Sequence, residues 1–230
     1  MPAKEERVEE AKELLERERE SMDGNALLAE LGALYEKLST RYPSVWNGLM
    51  TLKNDAVFMA LHFLEGNEEL YKLTLNPTSA LRIAQRMRLE TTQLDAVRKR
   101  MLQRQDYCVL LGLPAPSADP QVQLRTAQTL QQQIISYLLQ KQAAGIINVP
   151  LPSAINFSQQ TAMEPMQLSL EQTAYVIHIF PPCEFSFCVL RHSLSDQLAD
   201  QLLSRPFAGN GTGSLGLADA HLLVLITNVQ

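Results

Sequence analysis

A chain of 230 residues, 46% hydrophobic and 20% charged, has room for one well-buried domain with an extension or for two small ones. Its net charge of −5 argues against a surface built to coat nucleic acid, and no apolar run approaches the roughly 18–20 residues that span a bilayer. That charge is uneven: residues 1–23 hold five basic and nine acidic side chains, whereas residues 82–104 hold seven basic ones against Glu90 and Asp95. A local basic cluster on a nearly neutral body steers acidic ligands. Cys108, Cys183 and Cys188 are odd in number and lack C-x-x-C spacing, which fits free thiols in a reducing compartment. The opening MPAKEERVEE is charged where a secretory signal needs an apolar run, so a soluble intracellular protein is expected.

Residues 4–20 read as a charge-dense helix with few apolar anchors, broken by Met22-Asp-Gly-Asn25. Residues 1–24 are therefore set apart as a charged helical extension and 25–230 as the folded domain. Leu27, Leu28, Leu31, Leu34, Tyr35 and Leu38 recur at spacings of three and four, predicting an amphipathic helix that ends before Pro43. From Trp46 the pattern becomes that of strands. Val57, Met59, Leu61 and Phe63 alternate with smaller or polar residues, and Gly66-Asn67 supplies a turn. Residues 81–89 form a further strand. Thr92 is placed to cap a helix through Leu94, Val97 and Met101, with Asp95 in the capping-box position. Residues 107–113 are almost all apolar, as in a central strand, and Pro114 and Pro116 close them. Residues 119–144 read as one long helix, capped by Asp119, with Pro120 in its first turn and Gly145 ending it. A brief strand at 146–149 precedes an insertion at 151–172 without clear period. Then come a strand at 175–180, a short helix at 193–203, a glycine-rich loop at 209–216 and a last strand at 221–229. Strands and helices mix without βαβα alternation, so the fold class is α+β.

The most informative segment is residues 81–89. Leu81, Ile83, Met87 and Leu89 are odd-numbered and apolar; Arg82, Arg86 and Arg88 are even-numbered. In one continuous strand these sets face opposite sides, so three guanidinium groups share a face over about 20 Å. Like charges on one face cost stability unless acidic cross-strand partners or an external anion relieve them. Guanidinium matches phosphate oxygens with its flat fork of donors, and phosphoserine brings about −1.5 to −2 charges with three strong acceptors.

Nothing points to catalysis. Gly211-Thr-Gly-Ser-Leu-Gly216 has the letters of a dinucleotide fingerprint but follows a helix and leads into a strand, the reverse of the required context. His62, His178, His192 and His221 show no zinc spacing, and three of them fall in predicted strands. Cys183 has no local base, and Ser186 lies outside any nucleophile elbow. Neither metal nor cofactor is expected.

Four blocks in order resemble the SPOC domain of the split-ends family. They are Trp46-Asn-Gly-Leu-Met-Thr-Leu-Lys-Asn-Asp55, Leu81-Arg-Ile-Ala-Gln-Arg-Met-Arg-Leu-Glu90, Lys141-Gln-Ala-Ala-Gly-Ile-Ile-Asn-Val-Pro150 and Ile179-Phe-Pro-Pro-Cys-Glu-Phe-Ser186. The first differs from the family pattern at Asn47, where glutamine is usual. The resemblance implies a distorted mixed β-barrel of about seven strands surrounded by helices, in a nuclear protein. It implies a basic surface that docks phosphorylated Leu-Ser-Asp-type acidic motifs of transcriptional corepressors; related domains also read phosphoserines of the RNA polymerase II tail. The family's phosphate-binding positions fall on Lys53, Arg82, Arg86, Arg88 and Tyr137. The insertion and the glycine-rich loop depart from the family pattern. Single-stranded RNA or DNA is the competing ligand for the basic strand. Its exposed face reads Arg-Ala-Arg-Arg, without the aromatic residues on which bases stack.

Overall fold

Alternation in two adjacent segments builds the first hairpin. In β1 (Ser44–Leu52) the even residues from Trp46 to Leu52 are buried, and in β2 (Asp55–Gly66) Val57, Met59 and Leu61 are. The strands pair antiparallel from Leu52↔Asp55 to Ser44↔His62, leaving Lys53 and Asn54 as the turn. Lys53 takes a φ of 57°, at the first turn position where hairpins of the II′ type usually place glycine. The chain leaves β2 at Gly66, whose φ of 105° and closeness to the Tyr107 carbonyl leave no room for a side chain.

The computed structural model describes residues 24–150, 173–203 and 220–229. The charged extension up to residue 23, the insertion at 151–172 and the glycine-rich loop at 209–216 lie outside them. The remaining strands are β3 (Leu81–Ile83), β4 (Gln85–Arg88), β5 (Tyr107–Pro114), β6 (Ala143–Pro150), β7 (Thr173–Phe180) and β8 (Leu222–Asn228). They form one mixed sheet in the order β3-β1-β2-β5-β8-β7-β6-β4. Every pairing is antiparallel except β1 with β3. The two edge strands are consecutive in the chain, joined through Ala84, whose N–H donates to the Ile146 carbonyl at 3.3 Å. The sheet therefore curls until its edges nearly meet, giving a distorted barrel.

Two apolar cores lie on opposite sides of this sheet. One collects Met50, Met59, Leu81, Ile83, Leu110, Ile177 and Val224 from six strands, so it is the barrel interior. Leu130, Ile134, Ile135 and Leu138 pack into it. They come from the rod formed by α4 (Pro120–Thr129), a π-helical segment (Leu130–Ile135) and α5 (Ser136–Gln140). The other core lies against the outer side of β5 and β8 through Val109, Leu111, Leu223 and Leu225. It is covered by α1 (residues 24–41), α3 (Thr91–Arg100), α6 (Glu184–Ser193) and α7 (Asp196–Leu203). Leu27, Leu31, Leu34 and Leu38 of α1 are all buried there, as their spacing predicts.

Several expected elements change. The arginine segment is two strands, β3 and β4, which makes eight strands among the described residues where about seven were expected. Residues 119–144 are not one α-helix: after the Asp119 cap and Pro120 the rod passes through the π segment and stops at Gln140. Gln142 turns the chain with a φ of 46°, and Gly145 lies inside β6. Gly145 serves packing there, because an added Cβ would stand 2.8 Å from the Ile83 side chain. Thr92 is the second residue of α3, whose cap position is Glu90 with no side-chain cap, and Asp95 pairs with Arg98 at 2.8 Å. Ser193 ends α6 and does not open the last helix. The sequence reading missed both α2 (Glu68–Thr74) and α6. The first is capped by Asn67, whose side chain accepts from the Glu69 N–H. The second begins at Cys183, where the Cys183 N–H donates to Ser186 Oγ at 2.8 Å in a capping box with an unusual residue at its head.

Candidate functional site

One rim of the barrel gathers the tip of the β1–β2 hairpin, the β3–β4 crossing and α5. The hairpin tip presents Lys53, β4 presents Arg86, and α5 presents Tyr137. Lys53 Nζ lies 3.9 Å from the centre of the Tyr137 ring, and Arg86 Cζ lies 5.3 Å from it. Arg86 Nη1 also donates to the Tyr137 hydroxyl oxygen. Each exposed cation–ring contact is worth roughly 0.5–1 kcal/mol, which here orders two long side chains around one phenol. Since the hydroxyl oxygen accepts from Arg86, its own O–H remains able to donate.

The three arginines do not share one face. Leu81 and Ile83 enter the barrel interior, whereas Met87 and Leu89 pack on the outer core. The alternation slips by one at the Ala84 crossing, so Arg82 leaves the sheet on its outer side, and Arg86 and Arg88 leave on its inner side at the open rim. All three are exposed. Their strand partners are small and neutral: Thr51 for Arg82, Gly145 for Arg86 and Ala143 for Arg88. Cross-strand carboxylates therefore do not relieve the charge. Arg88 pairs with Glu90 at 3.3 Å. Among the described residues no carboxylate lies within ion-pair distance of Lys53, Arg82 or Arg86.

Of the five expected residues, the structure brings Lys53 and Arg86 each into contact with Tyr137. It sets Arg82 beside Thr51, one rung from the hairpin tip, and it ties Arg88 to Glu90. The pairing of Arg88 was not anticipated, although Glu90 two residues later in an extended chain offers that geometry. Elsewhere, His62 and His178 are buried and their basicity is lowered by burial, His178 to about 4. Cys108 is buried as well, and burial pushes its thiol up to about 12. No cluster of three metal-binding side chains occurs among the described residues.

A curled mixed barrel with a cationic rim of this kind presents a surface suited to an acidic partner. The SPOC domain profile matches residues 36–209, and the chain belongs to the SPOC domain family, in its split-ends branch. It is 41% identical over 196 residues to the human (Homo sapiens) Msx2-interacting protein, covering 84% of this chain and 4% of that protein. It is 38% identical over 199 residues to Protein split ends of Drosophila melanogaster, covering 84% of this chain and 3% of that protein. To RNA-binding protein spenito of the same fly it is 29% identical over 190 residues, 80% of this chain and 20% of that one. The chain thus spans a small part of each of these relatives. The solved SPOC domain of human PHD-finger protein 3 superposes with a TM-score of 0.42 at 15% identity, over 81% of this chain and 98% of that one.

Proposed function

We propose that the rim binds phosphoserine in acidic peptides, and that the domain thereby recruits transcriptional corepressors in the nucleus. The observation that carries this reading is the set Lys53, Arg86 and Tyr137. Two cations without a carboxylate partner among the described residues are held against one phenol whose O–H still has a donor to give. A phosphate dianion relieves their repulsion and accepts from all three groups at once. Lys53 supplies a point charge, Arg86 a fork of donors, and Tyr137 a neutral donor. Arg82 and Arg88 flank the set and suit acidic residues on either side of the phosphoserine. Ligands of this chemistry are the phosphorylated Leu-Ser-Asp-type tails of nuclear corepressors and the phosphorylated tail of RNA polymerase II. Direct binding of single-stranded nucleic acid is less well served, because the ring of Tyr137 already contacts two cations. Fluorescence titrations with a phosphorylated acidic peptide, its unphosphorylated form and single-stranded RNA, each at two salt concentrations, test the assignment. Phosphate-dependent peptide binding is expected. Equal binding of both peptide forms, or preference for RNA, overturns it.

A further inference from the structure

Away from the phosphate rim, a cleft opens where α3 and α6 part over the end of β2 and the start of β5. It encloses about 330 Å³, toward the lower end of the range for ligand pockets. Met101, just past the end of α3, and Phe185 and Val189 of α6 give it apolar walls. Along β2, Glu65 in its lining stands ten residues from Asp55 at the hairpin tip, or about 33 Å, so the cleft and Lys53 belong to opposite ends of that strand. The Tyr107 hydroxyl donates to the Glu65 carboxylate at 3.5 Å. Arg98, at the mouth, is engaged as well: it pairs with Asp95 at 2.8 Å, and its Cζ lies 5.4 Å from the centre of the Phe185 ring.

Positive charge dominates the approach to this cleft. Residues 98–106 hold four basic side chains against Asp106. Lys99 and Arg104 are exposed, and among the described residues no carboxylate lies within ion-pair distance of either. Basic residues suit the last turn of α3, where helix carbonyls face outward, but Arg104 lies beyond it in a single 3-10 turn (Arg104–Asp106). Arg104 is near the cleft: burial and the Glu65 charge raise the pKa of the Tyr107 hydroxyl, and the Arg104 charge opposes them. Leu102 follows Met101 and is 80% exposed, the most exposed large apolar side chain among the described residues. One exposed leucine is ordinary; a leucine beside an apolar cleft and two unpaired cations has the make-up of an interface, with an apolar centre and a charged margin.

We infer that this cleft is a second docking site, independent of phosphate, for an acidic segment of a partner protein that inserts one bulky apolar side chain between α3 and α6 while its carboxylates meet Lys99 and Arg104. Charge complementarity selects the occupant. A basic segment meets repulsion from Lys99 and Arg104, and a neutral one leaves both charges unanswered. The apolar side chain supplies the affinity that exposed ion pairs lack, since such pairs are worth little by themselves. The site stands whether or not the rim takes phosphoserine, and it lets the domain hold two acidic partners at once.

The test uses a fluorescein-labelled, unphosphorylated peptide of Gly, Ser and Glu with one central tryptophan, and a second peptide with serine in its place. Binding is followed by anisotropy. Occupancy of the cleft is read by mass spectrometry as the rate at which N-ethylmaleimide alkylates Cys188, an exposed thiol in its lining. The tryptophan should tighten binding at least about fivefold, and the bound peptide should slow the alkylation by a similar factor. Cys188→Trp fills the cleft from an exposed position and should abolish the gain from the peptide's tryptophan. If that variant does not fold, the unaltered domain alkylated at Cys188 in its folded state serves in its place. Lys99→Glu with Arg104→Glu should weaken both peptides by about tenfold or more. A saturating phosphoserine peptide without apolar residues should leave the probe bound. The inference is overturned by a gain that survives a filled cleft, by an unprotected Cys188, or by displacement of the probe by the phosphoserine peptide. Tighter binding of a single-stranded RNA of equal charge, lost in the double charge reversal, assigns the basic approach to nucleic acid and also overturns it.

Discussion

Arg86 and Arg88 are neighbours on the same side of β4, yet their surroundings give them different roles. Arg88 spends part of its charge on Glu90, whereas among the described residues Arg86 has the neutral phenol of Tyr137 as its partner. A ligand phosphate therefore gains more from Arg86, and reversing that charge turns a charge-assisted donor into a repulsive group. Arg86→Glu should weaken a phosphorylated acidic peptide by at least about 2 kcal/mol in calorimetry. Arg88→Glu should cost less, and both variants should melt near the unaltered domain because both positions face water. Equal losses at the two positions would show that the Glu90 pair does not persist in the complex. Tyr137→Phe separates the hydroxyl from the ring. The ring still supports Lys53 and Arg86, so folding stability should change by less than about 1 kcal/mol while phosphopeptide affinity falls several-fold. A large loss of stability with unchanged affinity would assign Tyr137 to the core instead.

At the scale of the elements, closure of the barrel depends on one tight crossing, where Ile83 of β3 meets Gly145 of β6. An alanine Cβ at position 145 would stand 2.8 Å from Ile83 Cγ2, so one of the two must move. Gly145→Ala should destabilise the domain by about 1–3 kcal/mol in urea denaturation, and adding Ile83→Val should recover part of that loss. Independent, additive effects would mean that the crossing tolerates the methyl by another route. This junction also shows why the sequence was readable in some places and not in others. The leucines of α1 are local information: their spacing alone names the buried face. The break at Ala84 is not, because apolar residues keep the same parity on both sides of it while packing into different cores. Ala143-Ala144-Gly145 reads as a helix end with a glycine cap, yet these small residues lie beneath the arginine strand and beside Ile83. Cysteine is an unusual cap, so nothing in the letters announced α6 at Cys183. Among the site residues, the three arginines stood out by charge, whereas Lys53 and Tyr137 were named by the family resemblance alone. Which of them converge on Tyr137 follows from barrel closure, a long-range event that no local pattern encodes.

For the molecule as a whole, acid acts on binding and on folding through different groups. The second ionisation of a phosphoserine lies near pH 6, so ligand charge and affinity decline below it whatever the protein does. Folding responds through buried histidine. His178 sits in β7, stacked 6.1 Å from Phe180, and is neutral in the fold. Burial holds its basicity down to about 4, and the nearby Arg100 charge adds to the effect. The unfolded chain binds a proton at this position near pH 6.5, whereas the folded domain resists it until about 4. Between those values the unfolded state carries more protons, so stability rises with pH and is lost as pH falls. The contribution is fully present above pH 6.5 and amounts to about 3 kcal/mol once acid has passed through the window. His62, also buried and lowered by burial, acts in the same direction. Urea midpoints should therefore be flat from pH 7 to 8 and decline steadily below about pH 6.5. Replacing His178 by Phe, which keeps a ring against Phe180, removes one titrating group whatever it does to baseline stability. The slope of unfolding free energy between about pH 6 and 5 should drop by close to one proton, roughly 1.4 kcal/mol per pH unit. Phosphopeptide affinity measured on folded protein should keep its own pH dependence in that variant, since the ligand sets it. An unchanged unfolding slope would place the acid sensitivity elsewhere, with His62→Phe as the next variant to measure.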